Sequence, residues 1–379
     1  MRKMRRILPF FLMILCILLL LILLHSLTAK TWHIKTVDSV GPQSGYPSLA
    51  IDSKGNPHMC YNDFVNLSNY NMKYATLIGS NWSIETIQSS GICLNPRISL
   101  DSKDNPYIVY TEYRNSTYFT ELATLTGCNW TIKTIDNTNL LPKLIPSFNG
   151  TMDLTFLNLT SIDRNIVSGS IEFGSKGNPQ IAFVNGSQTY GGNLIYAEYL
   201  DSQWHTQIID SNISSVTPCL VLDAEDNPHI AYIDRTSSTL RYAEWTGSEW
   251  KIQVREQYSG QPSMTLDANG NTHVSYETDE GLMYAVVSGS HWNVQRVDIN
   301  RSTSFPQLVL DYAGNPRIAC HQSFYHGHGT TTYAVAYASL ASAVEMQPEL
   351  FSIIGLAFFA LIIISALFIR AIKNIHIGG

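Results

Sequence analysis

Asp223-Ala-Glu-Asp-Asn-Pro-His-Ile-Ala-Tyr232 decides the fold, because the chain repeats it. The unit begins PSLAIDSKGNPHMCY at Pro47 and PRISLDSKDNPYIVY at Pro96, then IEFGSKGNPQIAF at Ile171 and PCLVLDAEDNPHIAY at Pro218. It ends as PSMTLDANGNTHVSY at Pro262 and PQLVLDYAGNPRIAC at Pro306, six copies in all. Self-similarity at a period of roughly 40–50 residues is the signature of stacked supersecondary units. The D-x-x-G-N-P hexad reads as a tight turn in which Asp52 or Asp223 caps backbone N–H groups and Gly55 takes a positive φ. Pro57 then opens a second strand where no ladder donor is yet required.

Each copy runs on to a Tyr-Ala-like pair and, eight residues later, a Trp: Tyr74 and Trp82, Leu122 and Trp130, Tyr196 and Trp204, Tyr242 and Trp250, Tyr284 and Trp292. This constancy fixes a hairpin register between a third and a fourth strand. Four short strands per unit predict an all-β fold, a six-bladed β-propeller over residues 32–340. A two-sheet sandwich would not need six copies of one turn.

The sixth unit reaches Tyr337-Ala-Ser-Leu340 and lacks its Trp, whereas Trp32-His-Ile-Lys-Thr-Val-Asp38 matches Trp130-Thr-Ile-Lys-Thr-Ile-Asp136 nearly residue for residue. The N-terminal strand is therefore expected to complete the last blade and close the ring. Residues 137–166 read as a large insertion before the third blade.

Both ends of the chain are apolar. Ile7 to Leu24 follows a basic Met1–Arg6 segment, so residues 1–29 read as a signal peptide or an uncleaved signal-anchor. Residues 341–349 read as a linker, 350–369 as a transmembrane helix and 370–379 as a cytoplasmic tail, with basic residues on the outer flank of both apolar runs. The propeller is then extracytoplasmic, at the cell membrane. Because Leu340 and Trp32 leave one blade edge on short tethers, the turns between first and second strands should face the membrane and the loops after the second and fourth strands should face outward.

All 30 acidic residues lie between the apolar runs, while six of the 24 basic ones lie outside, leaving 18 against 30, a formal −12. That argues against nucleic acid and against a polybasic lipid patch. Nine Asn-x-Ser/Thr sequons in the same region, Asn66 to Asn300, favour a glycosylated surface. Cys60, Cys93, Cys128, Cys219 and Cys320 show no paired or zinc-like spacing and read as small hydrophobes.

Two positions past the aromatic of each second strand stand Asp63, Glu112, Asn185, Asp234, Thr278 and Gln322, a polar ring suited to chelating a cation or to hydrogen-bonding sugar hydroxyls, and equally to strand ends meeting water. His58, His229 and His273 follow the turns and read as structural hydrogen-bonding groups; His321, His326 and His328 form a looser cluster with transition-metal potential. The Trp set reads as blade-to-blade packing. No cofactor is expected.

At Asp223–Tyr232 the chain resembles sialidase-like (BNR-like) six-bladed propeller proteins that carry the same D-x-x-G-N-P-H-I-A-Y consensus. Sialidases carry an S-x-D-x-G-x-x-W turn, an arginine triad and a Tyr/Glu nucleophile pair; the turns here have neither that Ser nor that Trp, and Arg97 is the lone candidate for a carboxylate-binding arginine. Gln347-Pro-Glu-Leu350 with the apolar run after it also looks like archaeal C-terminal sorting signals of the Pro-Glu-Phe type. The expectation is a surface binding or adhesion module for carbohydrate or envelope polymer. The alternatives are a glycoside hydrolase using two of Asp63, Glu112 and Asp234, and a scaffold subunit of a membrane complex.

Overall fold

The computed structural model describes residues 17–18, 30–115, 117–127, 129–136, 141–146, 152–157, 166–187, 191–213, 218–255, 260–298, 303–326 and 329–342. Both apolar runs, apart from Ile17 and Leu18, lie outside the described residues, among which no helix is long and apolar enough to cross a membrane. Two units are distinguished, Ile34–Ser339 and a second built from Met1–His33 with Leu340–Gly379. Within the second, the His33 ring nitrogen Nε2 lies 3.3 Å from the Ala341 carbonyl oxygen.

Among the described residues from Lys30 to Ser342 every element is a strand. The first, β1 (Lys30–Val40), precedes blade 1, which comprises β2 (Gly45–Ile51), β3 (Pro57–Asn66), β4 (Asn69–Ile78) and β5 (Asn81–Gln88). Blade 2 holds β6 (Ile92–Leu100), β7 (Pro106–Arg114), β8 (Thr117–Thr126) and β9 (Asn129–Asp136). The insertion carries a separate antiparallel hairpin, β10 (Leu141–Pro146) with β11 (Met152–Leu157). Blade 3 is β12 (Ile166–Phe173), β13 (Pro179–Ser187), β14 (Gly191–Leu200) and β15 (Gln203–Ile213), and blade 4 is β16 (Cys219–Leu222), β17 (Pro228–Asp234), β18 (Thr239–Trp245) and β19 (Trp250–Arg255). Blade 5 is β20 (Ser263–Leu266), β21 (Thr272–Thr278), β22 (Gly281–Ser288) and β23 (His291–Arg296). Last come β24 (Thr303–Leu310), β25 (Pro316–Tyr325) and β26 (Thr331–Ser342). They form blade 6 together with β1, in the order β1-β26-β25-β24, so the first strand in sequence is the outermost strand of the last blade.

Blades 1 and 2 are joined by a single parallel bridge, Tyr70 to Ile92, and no described sheet closes on itself. The ring is made instead by packing between sheets. One apolar cluster joins blades 3 and 4 through Tyr196, Ile213, Leu220 and Tyr232, and another joins blades 4 and 5 through Tyr242, Met264 and Val274. A third packs Val37, Ala319 and Val335 of blade 6 against Leu49, Met59 and Tyr61 of blade 1, bringing the last blade onto the first. The second strand of a blade is covered on both faces, so Met59, Cys60 and Tyr61 are buried in succession, unlike the in-out alternation of a half-exposed sheet. Each large side chain so buried is worth about 1.5–3 kcal/mol. Four-stranded antiparallel sheets set face to face around one cavity are the β-propeller arrangement. Cys60, Cys93 and Cys320 are buried free thiols, as their spacing suggests.

The tryptophans follow one register rule. Trp82 packs edge-on against Tyr337 at 5.5 Å, Trp130 against Tyr74 at 5.1 Å, Trp250 against Tyr196 at 5.4 Å and Trp292 against Tyr242 at 6.1 Å, each on the preceding blade. Blade 2 offers Leu122 in place of the Tyr, and Trp204 lies instead 5.1 Å from Tyr199 of its own blade. The indole N–H of Trp130, Trp250 and Trp292 donates at 2.9 Å to Glu85, Gln207 and Gln253, each three residues past the preceding blade's Trp. For Trp82 that position is Lys35, which has no acceptor, and its buried Nε1 is unpaired.

Candidate functional site

The two ends of the propeller are built differently. On the face bearing the turns after each first strand, the turn aspartate cages its own loop. Asp267 Oδ1 accepts the N–H of Asn269 at 2.9 Å and of Asn271 at 2.8 Å, while Oδ2 takes the Asn271 amide at 2.8 Å. Asp52, Asp101 and Asp223 repeat these three bonds, and Asp311 repeats them with the Asn315 amide at 3.2 Å. Burial raises the Asp267 pKa, but these donors outweigh it and hold the carboxyl at about 2. Gly55 takes φ 85° as the turn requires, yet Asp104 and Asp226 fill the same position at φ 65°. Their carboxylates reach the neighbouring blade and accept Ser53 N at 2.9 Å and Ser175 N at 2.8 Å, which repays the strain.

The turn histidines are structural, as expected. His58, His229 and His273 each sit between a tyrosine hydroxyl, at 2.6, 2.6 and 2.5 Å from Nδ1, and the turn aspartate, at 3.6, 3.7 and 3.4 Å from Nε2. Burial lowers the pKa of His58 and His273. Blade 3 substitutes Gln180, whose Oε1 accepts the Tyr196 hydroxyl at 2.5 Å, and blade 6 substitutes Arg317 on Asp311 at 2.7 Å.

The six ring residues all lie at second-strand ends, and each has intramolecular partners. Lys73 bridges Asp63 and Asp38 at 2.8 Å each, and Tyr61 also donates to Asp38 at 2.9 Å. Arg241 bridges Asp234 at 2.7 Å and Asp210 at 2.5 Å, with Tyr232 on Asp210 at 2.8 Å. Arg114 joins Glu112 and, at 3.0 Å, Glu121, while Gln88 donates to Glu112 at 2.7 Å. Gln322 donates to Asp298 at 2.6 Å; Asn185 accepts Asn193 N at 3.3 Å; Thr278 donates to Gly281 O at 3.2 Å. Asp38, Gln88, Asp210 and Asp298 occupy one register, six residues past a Trp, on the preceding blade. Ring and register together clamp blade to blade. Glu112, Asp234 and Gln322 are 2–4% exposed, so these strand ends are interior groups and do not simply meet water.

The first strands of all six blades line one cavity of about 430 Å³, which includes Tyr46, Arg97, Glu172, Gln261, Phe305 and Gln307 and contains none of the ring residues. In three first strands the residue before an internal proline adopts a left-handed backbone, Tyr46 at φ 51°, Asn95 at 50° and Phe305 at 54°, and Tyr46 and Phe305 line the cavity. Such conformations cost of order 1–3 kcal/mol each and gather at binding sites. The Tyr46 and Phe305 rings lie 4.2 Å apart across the seam between blades 1 and 6, and Tyr46 is 40% exposed. The Phe305 conformation is held by its N–H, which donates to Glu277 at 2.8 Å. Burial lifts that carboxyl to about 7. Gly260 makes room for it, since a Cβ there would stand 2.2 Å from the carboxylate. Of these groups the sequence picks out Arg97 alone.

His321 is buried, its Nε2 has no partner, and burial lowers its pKa. His326 is exposed and bonded to Thr332 at 2.8 Å, His328 lies outside the described residues, and no group of potential metal ligands forms among the described residues.

No family model and no curated protein matches the chain. Among solved structures it is similar to the Hadza microbial sialidase Hz136, at TM-score 0.47 and 11% identity over 79% of this chain and 65% of that one, so it spans slightly less than two thirds of that enzyme's length. It is also similar to a PL25 ulvan lyase, a polysaccharide lyase, at 0.41 and 13% over 79% of each chain. A GH43_1 enzyme from Xanthomonas citri aligns at 0.37 and 12% over 84% of this chain and 92% of that one.

Proposed function

We propose that the chain is a membrane-anchored, cell-surface six-bladed propeller that binds carbohydrate or an envelope polymer at the loop-face mouth of its channel. The observation that carries this reading is the Tyr46–Phe305 pair, held at strained backbone angles with Tyr46 open to solvent and Phe305 half-buried beside it at the cavity. A rigid aromatic pair at a polar channel offers apolar area for the faces of sugar rings and hydrogen-bonding groups at their edges. Anchoring is supported by the two apolar runs of the sequence and by the adjacency of β1 and β26. It would turn the loop face outward.

The test is a broad panel of glycans and envelope polymers against the full-length protein in detergent. Binding that Tyr46→Ala abolishes supports the reading; no binding across the panel removes it.

A glycoside hydrolase is the second reading, favoured by the carboxylate pairs Asp38/Asp63, Glu112/Glu121 and Asp210/Asp234. Such chemistry needs one protonated acid beside one ionised carboxylate. Glu112 has its pKa raised by burial, against Arg114. Each pair, however, shares a cation, and the Asp38/Asp63 and Asp210/Asp234 pairs repeat one arrangement across a blade seam, which is what a structural clamp predicts. Aryl-glycoside turnover that disappears in Glu112→Gln would establish catalysis.

A further inference from the structure

Glu277 and His321 break the repeat at one position. The residue just before the ring residue is Asn62, Thr111, Val184 and Ile233 in blades 1 to 4, but Glu277 in blade 5 and His321 in blade 6. Both are buried, and both hold the start of β24. Glu277 reaches across from blade 5 and accepts Phe305 N–H through Oε1 at 2.8 Å, while His321 Nδ1 lies 3.3 Å from Ser304 Oγ within blade 6. Phe305 is thereby fixed at φ 54°, a backbone that disfavours its side chain.

Two glycines shape the space around this contact. A Cβ at Gly260 would overlap the Glu277 carboxyl, and one at Gly45 would stand 3.3 Å from the Phe305 ring. That ring lies 4.2 Å from the ring of Tyr46 at the cavity. A displacement of the carboxyl therefore passes through one backbone N–H to the aromatic pair.

No cation keeps this carboxyl charged. It forms no ion pair among the described residues, and burial raises its pKa to about 7 against a single backbone donor. The ionisable groups beside it are acids too. Cys320 of β25 is a thiol whose ionisation burial, Asp298 and Glu277 all oppose, and Asp298 accepts Gln322 at 2.6 Å. On β22, Leu282 stands opposite Glu277, and Tyr284 is engaged with His273 farther along. β20 and β24 contain no ionisable residue. His321 shares a face with Val335, which packs on blade 1, and burial lowers its pKa, so it is neutral where Glu277 titrates.

The two forms of Glu277 act differently on the strand. Neutral, the carboxyl rests in its cradle and its carbonyl oxygen accepts Phe305 N–H. Ionised, it is drawn toward water, because a lone buried charge is costly, and Phe305 N–H loses its partner. The left-handed backbone at Phe305 is then no longer held.

We infer that a proton on Glu277 sets the aromatic pair: with it the mouth is ordered for ligand, and without it Phe305 is released and ligand binding weakens. The ligand part rests on the proposed function; the conformational part does not. Linkage fixes the direction. An arrangement that raises a carboxyl pKa is fully favoured below the ordinary value of 4.5 and is lost as pH rises through about 7.

The experiment uses the full-length protein in detergent, as wild type, Glu277→Gln and Gly260→Ala, with circular dichroism confirming that each is folded. Hydrogen exchange of the Thr303–Leu310 segment at pH 6 and pH 8, corrected for the intrinsic pH dependence of exchange, reads the conformational part. Calorimetric titration with two uncharged probes, cellohexaose and mannohexaose, at the same pH values reads the ligand part. Wild type should lose protection of this segment by about tenfold between pH 6 and pH 8. Glu277→Gln should show one level of protection at both, and Gly260→Ala, which crowds the carboxyl out of its cradle, should show the low level already at pH 6. A probe that binds wild type at pH 6 should bind about three- to tenfold more weakly at pH 8, and should bind Glu277→Gln with one affinity at both. Equal protection of wild type at the two pH values, or the same loss in Glu277→Gln, overturns the inference. Protection that follows the proton while probe binding ignores pH, or while neither probe binds at pH 6, overturns the ligand part alone. The binding-module reading fails separately, if the glycan panel is silent.

Discussion

The turn face and the loop face of this propeller use similar residues to opposite ends. On the turn face an aspartate cage appears in five blades and a tyrosine–histidine–aspartate chain in three, with the same atoms at nearly the same distances. At the loop-face mouth the blades differ: one buried glutamate, one arginine with no ion pair among the described residues and one aromatic pair held at positive φ. Chemistry that repeats with the fold belongs to the fold. Chemistry that departs from the repeat, at a structural cost, is where selection by a ligand is to be sought.

The sharpest way to break the distinction between chemistry that repeats with the fold and chemistry that departs from it is to compare two arginines, Arg241 of a blade clamp and Arg97 of the channel. Arg241→Met should cost about 3–5 kcal/mol, because it strands the half-buried Asp210 and the buried Asp234 without their shared cation. Arg97→Met, which removes no ion pair, should stay within about 0.5 kcal/mol. Urea unfolding of both variants decides it, and equal effects would end the distinction. Next in size, Asp267→Ala takes the acceptor from three donors and should cost about 1–3 kcal/mol by the same measurement.

The faces should also titrate in opposite directions. Stability that rests on neutral, buried His58 and His273 is full above their ordinary value of 6.5 and is lost as pH falls through their depressed folded pKa. Glu277 runs the other way: stability is full below its ordinary value of 4.5 and is lost as pH rises through about 7. Urea midpoints across pH 4 to 8 should therefore lose their alkaline decline in Glu277→Gln and keep their acid decline. The smallest effect is a gain. Lys35→Gln gives the unpaired Trp82 indole the kind of acceptor that Glu85, Gln207 and Gln253 provide for Trp130, Trp250 and Trp292 and should stabilise by about 0.5–1.5 kcal/mol.

Where most copies agreed, sequence was enough. The turn cage, the second-strand Pro, the packing role of the Trp set and the pairing of β1 with the last blade are all visible in the repeat. The polar ring was visible too, but its partners were not. Nothing in Asp63 announces Lys73 and Asp38, because a clamp between blades joins residues whose spacing reflects no local period. The mouth was hidden for a related reason. Tyr46 and Phe305 are the residues before two prolines, ordinary in a list, and only closure of the ring brings their rings together.

That closure has a consequence in time. Apolar packing between blades 6 and 1 ties the first and last blades, and β1 pairs with β26, the last described strand in sequence. Until β26 is made, β1 is an exposed strand edge, open to the wrong partner. Five blades can form in order as they are made, but the sixth waits for β26. The slow step in making this molecule should be a single act of capture, and mutations in β1 should lower yield more than they lower the melting temperature of what does fold.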